Sequence, residues 1–217
     1  MSPPPPDVRP AALRPKAALA LIAAAIAVAG GLVLATVGWY ATVRGTSGEA
    51  RGVRARVSFT STCDAEARPV ILARLAEYGL PAQPAPDTGG LAFDVTMPGL
   101  PDDLAHVPAA LAAPGTLEVR VDGAIRPVVI QDLGVQLAFS GTPVTLLLLE
   151  EALPERGVEV WIDGKPADVE EVTGVELQIA ARAAQSTDAL RLATDRAVAL
   201  RHPLPCVVTA IGAEALP

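Results

Sequence analysis

Residues 91–100 read LAFDVTMPGL, and this stretch decides the fold class. Its first half places apolar side chains at every second position, namely Leu91, Phe93, Val95 and Met97. That period is typical of a β-strand with one buried face. Pro98-Gly99 then ends the strand, and Pro101 opens a stretch with helical spacing, because proline is favoured at the first position of a helix. The pattern therefore predicts a strand followed by a helix.

Strand and helix patterns alternate on both sides of this stretch. Upstream, residues 55–61 predict a strand, and a helix is expected from Pro69 to its glycine stop at Gly79. Downstream, residues 116–122 alternate clearly. The remaining expected strands are 135–139, 143–149, 157–162, 175–180 and 206–211, with a helix of about fifteen residues capped by Ser186. The chain is predicted to be α+β, with helices covering one sheet face.

The N-terminal region predicts a membrane anchor. No charged residue occurs from Ala17 to Val43, a run that makes a helix of roughly 40 Å and exceeds the ~30 Å hydrocarbon core. The run is longer than the apolar region of a cleaved signal peptide, so we expect an uncleaved span at 17–43. Basic residues flank both ends. Since long domains translocate regardless of flanking charge, the Pro-rich tail 1–16 is expected inside and the large domain outside.

Small residues recur at every fourth position of this span, at Ala23, Ala27, Gly31 and Ala35. Such a stripe lets a second transmembrane helix approach closely. An alanine-rich span also contains such stripes by chance, and the sequence leaves both interpretations open.

Charge and motifs argue against several functions. The chain has 17 Lys and Arg against 24 Asp and Glu, which disfavours nucleic acid as a partner. It contains no phosphate-binding glycine loop and no catalytic Ser/His/Asp order. Asp102, Asp103 and His106 lie within one helical turn, but acids at a helix start usually complement the helix dipole. We therefore expect no enzyme activity, no cofactor and no metal.

Five stretches, taken in order, resemble the first periplasmic domain of the SecD family, which comprises accessory subunits of the preprotein translocase. They are ILARLAEYGL (71–80), FDVTMPGLPDDL (93–104), PGTLEVRV (114–121), GVEVWIDGKPADV (157–169) and STDALRLATDRAVALRHPLP (186–205). Five membrane helices that follow this domain in the family have no counterpart in the sequence. We therefore expect a truncated relative that does not use a proton gradient in the family's manner.

The resemblance implies a domain plan. A linker at 44–56 would follow the membrane helix, and a ferredoxin-like base would comprise 57–124 and 205–212. An α+β head subdomain at 125–204 would be inserted into that base. Because the first and last strands of such a base are antiparallel neighbours, Cys63 and Cys206 would lie at the same end and form a disulfide. Two free, buried thiols are the alternative.

The resemblance also implies a role and an address. It predicts a single-pass protein of the inner membrane whose periplasmic domain binds unfolded or translocating polypeptide or subunits of the Sec translocase, and contacts membrane lipid. An envelope scaffold or protein-interaction module unrelated to export is the alternative, because a fold does not fix a function.

Overall fold

The computed structural model describes residues 52–86, 90–97 and 103–217. The tail 1–16, the span 17–43 with its small-residue stripe, the Pro98-Gly99 corner and Asp102 lie outside the described residues. The described residues all belong to one compact unit, Arg51–Pro217. Within the described ranges, none of the helices has the length and apolar character needed to cross a membrane.

Helices and strands succeed one another along the described chain. In order they are β1 (Val53–Ser61), α1 (Asp64–Glu77), β2 (Ala82–Pro84), β3 (Leu91–Met97), α2 (Asp103–Leu111), β4 (Leu117–Val121), β5 (Ala124–Arg126), β6 (Ile130–Leu137), β7 (Pro143–Leu149), β8 (Val158–Ile162), β9 (Lys165–Ala167), β10 (Val169–Thr173), β11 (Glu176–Ala180), α3 (Ser186–Arg201) and β12 (Val208–Ala215). The class is mixed α+β, as the alternating patterns predict.

The first antiparallel sheet joins the two ends of this unit. Its strand order is β12-β1-β3-β2, so the last strand pairs with the first. Val57, Phe59 and Phe93 are buried on the face that packs against α1 and α2, together with Ile71 and Leu75 of α1. Along β1 and β3 the residues between these apolar ones point to the opposite face, because successive strand side chains alternate.

Two further antiparallel sheets lie in sequence between α2 and β12. Their strand orders are β10-β11-β7-β6 and β5-β4-β8-β9. Leu147, Leu177 and Val160, drawn from both sheets, share one core with Leu200 of α3. The hydroxyl of buried Thr145 in β7 donates to a backbone carbonyl of α3, which fixes that helix on the sheet.

The structure corrects the expected strand assignment in one place. Residues 117–121 pair with β8 and β5, with Glu118 opposite Trp161, and so belong to the third sheet rather than beside 57–97. The fourth strand of the first sheet is instead the short β2, which is not among the strands expected from the sequence. Pro81 and Pro84 make that segment resemble a loop, yet Pro81 accepts a hydrogen bond from Thr96.

Two helix starts also differ from expectation. The first helix begins at Asp64, five residues before Pro69, because Asp64 and Glu66 favour the first turn and the carbonyl of Cys63 accepts from Ala67. Ser186 is the first residue of α3 rather than its N-cap, which is Gln185.

Candidate functional site

Cys63 and Cys206 form a disulfide whose Cα atoms lie 6.2 Å apart. Cys63 follows β1 and Cys206 precedes β12, and the antiparallel register places Ser61 opposite Val208. Strand pairing therefore brings the two cysteines together across 143 residues of sequence. The bond therefore cross-links the end of β1 to the start of β12 in the first sheet.

A buried arginine joins the three helices of the described residues. The guanidinium of Arg74, in α1, donates to Leu111 and Ala113 at the end of α2, at 2.8 and 2.6 Å. It also donates to Ala199 at 3.2 Å and twice to His202, at 2.9 and 2.6 Å, where α3 ends. All five of its N–H groups are thus spent on carbonyl oxygens. Burial lowers the pKa of Arg74 to about 10, so it stays charged at neutral pH.

The charge of Arg74 is compensated by the ends of two helices. The carboxyl end of a helix carries partial negative charge, and both α2 and α3 direct that end at the guanidinium. Because its donors are all committed, Arg74 positions the helices and has no free donor for a ligand. We call this group of contacts the helix junction.

Both histidines of the chain lie beside carboxylates. Nε2 of His106 is 2.8 Å from Oδ2 of Asp195, whose other oxygen accepts from Tyr78 at 2.7 Å. Nε2 of His202 is 2.8 Å from Oε2 of Glu77. Each pair links α3 or its end to another helix.

The metal candidate considered from sequence is not assembled in the described part of the chain. His106 faces Asp195 of α3, Asp102 lies outside the described residues, and nothing is described of the Asp103 side chain. Across the ranges 52–86, 90–97 and 103–217, no group of three or more His, Cys, Asp or Glu could hold a metal ion.

An open apolar cleft lies beside the segment AIRPVVI at 124–130, which crosses from the third sheet to the second. The cleft measures about 370 Å³ and is lined mainly by Leu117, Val119, Ile125, Val128 and Ile130. A second cleft of about 220 Å³ is lined by residues of the same segment together with Leu149 and Leu153. Ile125 and Val129, which line the first and the second cleft, are 65% and 60% exposed. We call these two clefts the crossover clefts.

Charged groups border the crossover clefts. Arg126 lies 3.2 Å from Glu151, and Glu118 accepts from Arg120 at 2.6 Å. Arg120 also stacks over the ring of Trp161, with 4.8 Å to its centroid. The crossover clefts therefore combine apolar side chains with paired charges at their edges.

The sequence patterns predict no function for the helix junction or for the crossover clefts. Arg74 is part of the stretch ILARLAEYGL, but a single arginine on a helix does not reveal that it is buried. The available signal for the clefts is the apolar run at 124–130, interrupted by Arg126-Pro127 and lacking a strand or helix period. Glu150 and Glu151 are exposed, as expected of a solvated acidic pair.

These observations define a class of protein: an α+β domain whose first and last strands pair in one sheet, with two sheets and a helix inserted before the last strand. Among solved structures it is similar to the crystal structure of SecDF in the super-membrane-facing form, with a TM-score of 0.52 and 16% identity over 75% of this chain. The chain spans 30% of that SecDF chain. The resemblance to the SecD family is confirmed at the level of the fold.

A second structure is described as a membrane component, SecDF, that enhances protein export. It has a TM-score of 0.47 and 15% identity, covering 72% of this chain and 97% of that one. No family model matches the chain, and no curated protein matches it.

Proposed function

We propose that this chain is a membrane-anchored, periplasmic SecD-like domain that assists protein export by binding translocating polypeptide, without catalysing a reaction. The fold that this chain shares with SecDF supports the SecD-like part of the proposal. The crossover clefts carry the proposal, because they offer apolar surface to an extended chain. Leu137 and Phe139, at and just beyond the far end of β6, are exposed apolar side chains as well.

The proposed domain plan has a ferredoxin-like base and an inserted head. The order β12-β1-β3-β2, with one helix after β1 and another after β3, supports the base. Because β4 pairs with β8, a boundary near residue 115 fits the strand pairing better than one at 124. On this plan the helix junction is the attachment between base and head.

The proposed location rests on two observations. The uncharged run at 17–43 has the length of a membrane span. The Cys63–Cys206 disulfide fits an oxidising compartment such as the periplasm, where such bonds persist. Membrane lipid is therefore a proposed partner of the anchor, and subunits of the Sec translocase are proposed partners of the domain.

Site-specific photocrosslinking in intact cells tests the proposal. A photoreactive residue at Ile125 samples the crossover clefts, and the same residue at Ile211, on β12, is the matched control because the two isoleucines are 65% and 66% exposed. We expect adducts at position 125 with a secretory protein arrested during export, and few at 211.

The other outcomes discriminate between interpretations. Adducts at 125 that contain folded envelope proteins, and that do not change when export is blocked, would favour the scaffold alternative. Equal labelling at 125 and 211, or none at either, would overturn the assignment of the crossover clefts.

A further inference from the structure

The second sheet has one face that lies outside both hydrophobic cores of the described residues. Thr145 and Leu147 of β7 point to the other face, which carries α3 and the shared core. Because successive strand side chains alternate, Leu146 and Leu148 point away from that core. Both leucines are half-buried, and neither belongs to a core of the described residues or packs against one. We call this surface the open face of the second sheet.

The composition of β7 indicates that the open face is covered by a partner. An antiparallel sheet with one solvated face normally alternates apolar and polar side chains, whereas a strand buried on both faces is apolar throughout. β7 reads PVTLLLL and is of the second kind. Val144 is buried, so the open part of the face begins at Leu146 and continues to Leu148.

Carboxylates flank these leucines on both sides. The strand register places Asp132 of β6 opposite Leu148 on one side and Glu176 of β11 opposite it on the other. Since neighbouring strands are ~4.8 Å apart, the two acidic residues stand roughly 10 Å from each other. In the adjacent row, Gln178 lies between Leu146 and Glu171 of β10. All three acidic residues are exposed.

The negative charge of the open face is not balanced by basic side chains. The four strands of the second sheet contain four acidic residues and no Lys or Arg. One of the four, Glu170, lies 3.2 Å from Arg182. None of the ion pairs within the described ranges involves Asp132, Glu171 or Glu176. A cationic partner therefore meets carboxylates that no Lys or Arg of the described chain neutralises.

A glycine leaves space beside Leu146. Gly134 lies directly opposite Leu146 in β6, and a Cβ atom added to Gly134 would meet nothing within 4 Å. A glycine inside a strand often marks a place where a ligand or another backbone approaches closely. The open space allows an apolar side chain of a partner to contact Leu146.

We propose that the open face of the second sheet binds a basic amphipathic helix of another polypeptide. Its apolar side chains cover Leu146 and Leu148, while its Lys or Arg side chains reach Asp132 on one side and Glu176 on the other. Lys and Arg suit this arrangement because their aliphatic stems lie along apolar surface while their charged ends stay in water. The overall diameter of a helix, about 10–12 Å, matches the separation of the two carboxylates.

Peptide binding to the full chain tests the proposal. The chain is placed in nanodiscs of phosphatidylcholine, a lipid without net charge, and empty nanodiscs correct for binding to lipid. The probe is a fluorescent helical peptide with leucines on one face and lysines along both sides of that face. We expect saturable binding by anisotropy that weakens as salt is added, because salt screens exposed charges. In methyl NMR spectra the probe should shift the resonances of Leu146 and Leu148.

Paired charge variants separate the open face from general attraction to an acidic chain. Asp132→Asn with Glu176→Gln should weaken binding by roughly two- to thirtyfold, the range expected for two exposed ion pairs. Glu155→Gln with Glu159→Gln is the matched control, because it removes the same charge from exposed residues in and before β8. It should leave the affinity nearly unchanged. An equal loss of affinity in the two double variants would overturn the proposal.

A second pair of variants keeps the test decisive if those substitutions disturb the sheet. Gly134→Lys places a cation beside Leu146 in open space and should weaken binding. Gly90→Lys adds the same charge just before β3, where a Cβ atom also meets nothing within 4 Å, and should have little effect. Equal effects of the two lysine substitutions would contradict the proposal.

The NMR spectra also distinguish this proposal from the proposed function. Shifts at Ile125 without shifts at Leu146 and Leu148 would assign the peptide to the crossover clefts and overturn the open-face proposal. A peptide with glutamates in place of the lysines should not bind, and equal affinity for the two peptides would also overturn it. Failure of photocrosslinking at position 125 in cells would count against the crossover clefts and leave binding at the open face unaffected.

Discussion

Arg74 and His202 lie 128 residues apart in sequence, yet two N–H groups of the Arg74 guanidinium converge on the backbone carbonyl oxygen of His202. The contact joins α1, which packs on the first sheet, to the end of α3, which packs on the second sheet. His202 contributes only its backbone carbonyl to this contact, so its residue type does not reveal the contact in the sequence. The relationship is one of position: a buried cation is held by the carboxyl ends of two helices.

Replacing Arg74 by methionine should destabilise the domain by about 3–5 kcal/mol. The substitution keeps similar bulk but leaves the carbonyls of Leu111, Ala113, Ala199 and His202 buried without these donors. Arg74→Lys should fall between the wild type and Arg74→Met, since one ammonium cannot reach four carbonyl groups. Urea denaturation of the full chain, followed by circular dichroism, measures the change.

Arg156→Met is the control for that series. Arg156 is exposed in the loop before β8, so its loss should change the free energy of unfolding by no more than about 0.5 kcal/mol. If Arg74→Met is no more costly than Arg156→Met, the helix junction does not hold the domain together.

Gly115 should not tolerate a side chain. It adopts φ +76°, and a methyl group there would lie 2.7 Å from the carbonyl carbon of Ala199 and 3.1 Å from Nη2 of Arg74. The first neighbour is backbone at the end of α3 and cannot shift without moving the helix. Gly115→Ala should therefore lower the thermal midpoint sharply, by overlap as well as by backbone strain.

Gly79→Ala separates those two causes. Gly79 has a similar φ of +68°, but a methyl group would meet nothing within 4 Å. Gly79→Ala should therefore lose only about 1–2 kcal/mol of stability, from the strain of an alanine in the left-handed conformation. Equal losses in the two variants would show that the close approach to Ala199 is unimportant.

The sequence predicts the elements of this fold better than their partners. Alternation in 91–97 identifies β3, and it identifies 117–121 equally well as a strand. Alternation is a local property, however, and it does not say which edge a strand joins. The domain plan that the resemblance implies groups residues 117–121 with 57–97, whereas they pair with β8. The short strand Ala82–Pro84, with prolines on both sides of its centre, is missed.

The candidate sites also differ in how well the sequence predicts them. Cys63 and Cys206 can be paired from the implied strand order, because cysteines carry their own chemistry. Ile125 and Val129 differ from core residues only in exposure, which depends on how the 124–130 segment crosses between two sheets. Arg74 likewise reveals its role only after α2 and α3 are placed around it. Sequence patterns alone do not predict a role that depends on whether a side chain is buried or exposed.

The ion pair on the open side of the first sheet gives a pH-dependent prediction. Nε of Arg56 donates to Asp94 at 2.7 Å and Nη2 at 3.0 Å, and these hydrogen bonds lower the pKa of Asp94 below its usual 3.8. The pair therefore adds stability above about pH 3.8 that is lost as the pH falls through the lowered pKa. Arg56→Gln should raise the pKa of Asp94, as followed by NMR of its carboxyl carbon.

Arg54→Gln is the control, because Arg54 acts on Asp94 only through its charge and without a hydrogen bond. It should raise the pKa of Asp94 by less than Arg56→Gln does. A larger increase in the pKa of Asp94 in Arg54→Gln than in Arg56→Gln would contradict this. It would mean that long-range charge, rather than the bidentate hydrogen bonding of Arg56, controls that pKa.

The Cys63–Cys206 disulfide should contribute up to about 5 kcal/mol to the free energy of unfolding, because it cross-links positions 143 residues apart and restricts the unfolded chain. The full chain purified without reductant should contain no free thiol and should become less stable in urea when dithiothreitol is added. The double variant Cys63→Ser/Cys206→Ser should be as unstable as the reduced wild type and indifferent to dithiothreitol. Two titratable thiols in the folded, unreduced protein would contradict the pairing. A double variant as stable as the oxidised wild type would instead show that pairing of β1 with β12 closes the sheet without the covalent bond.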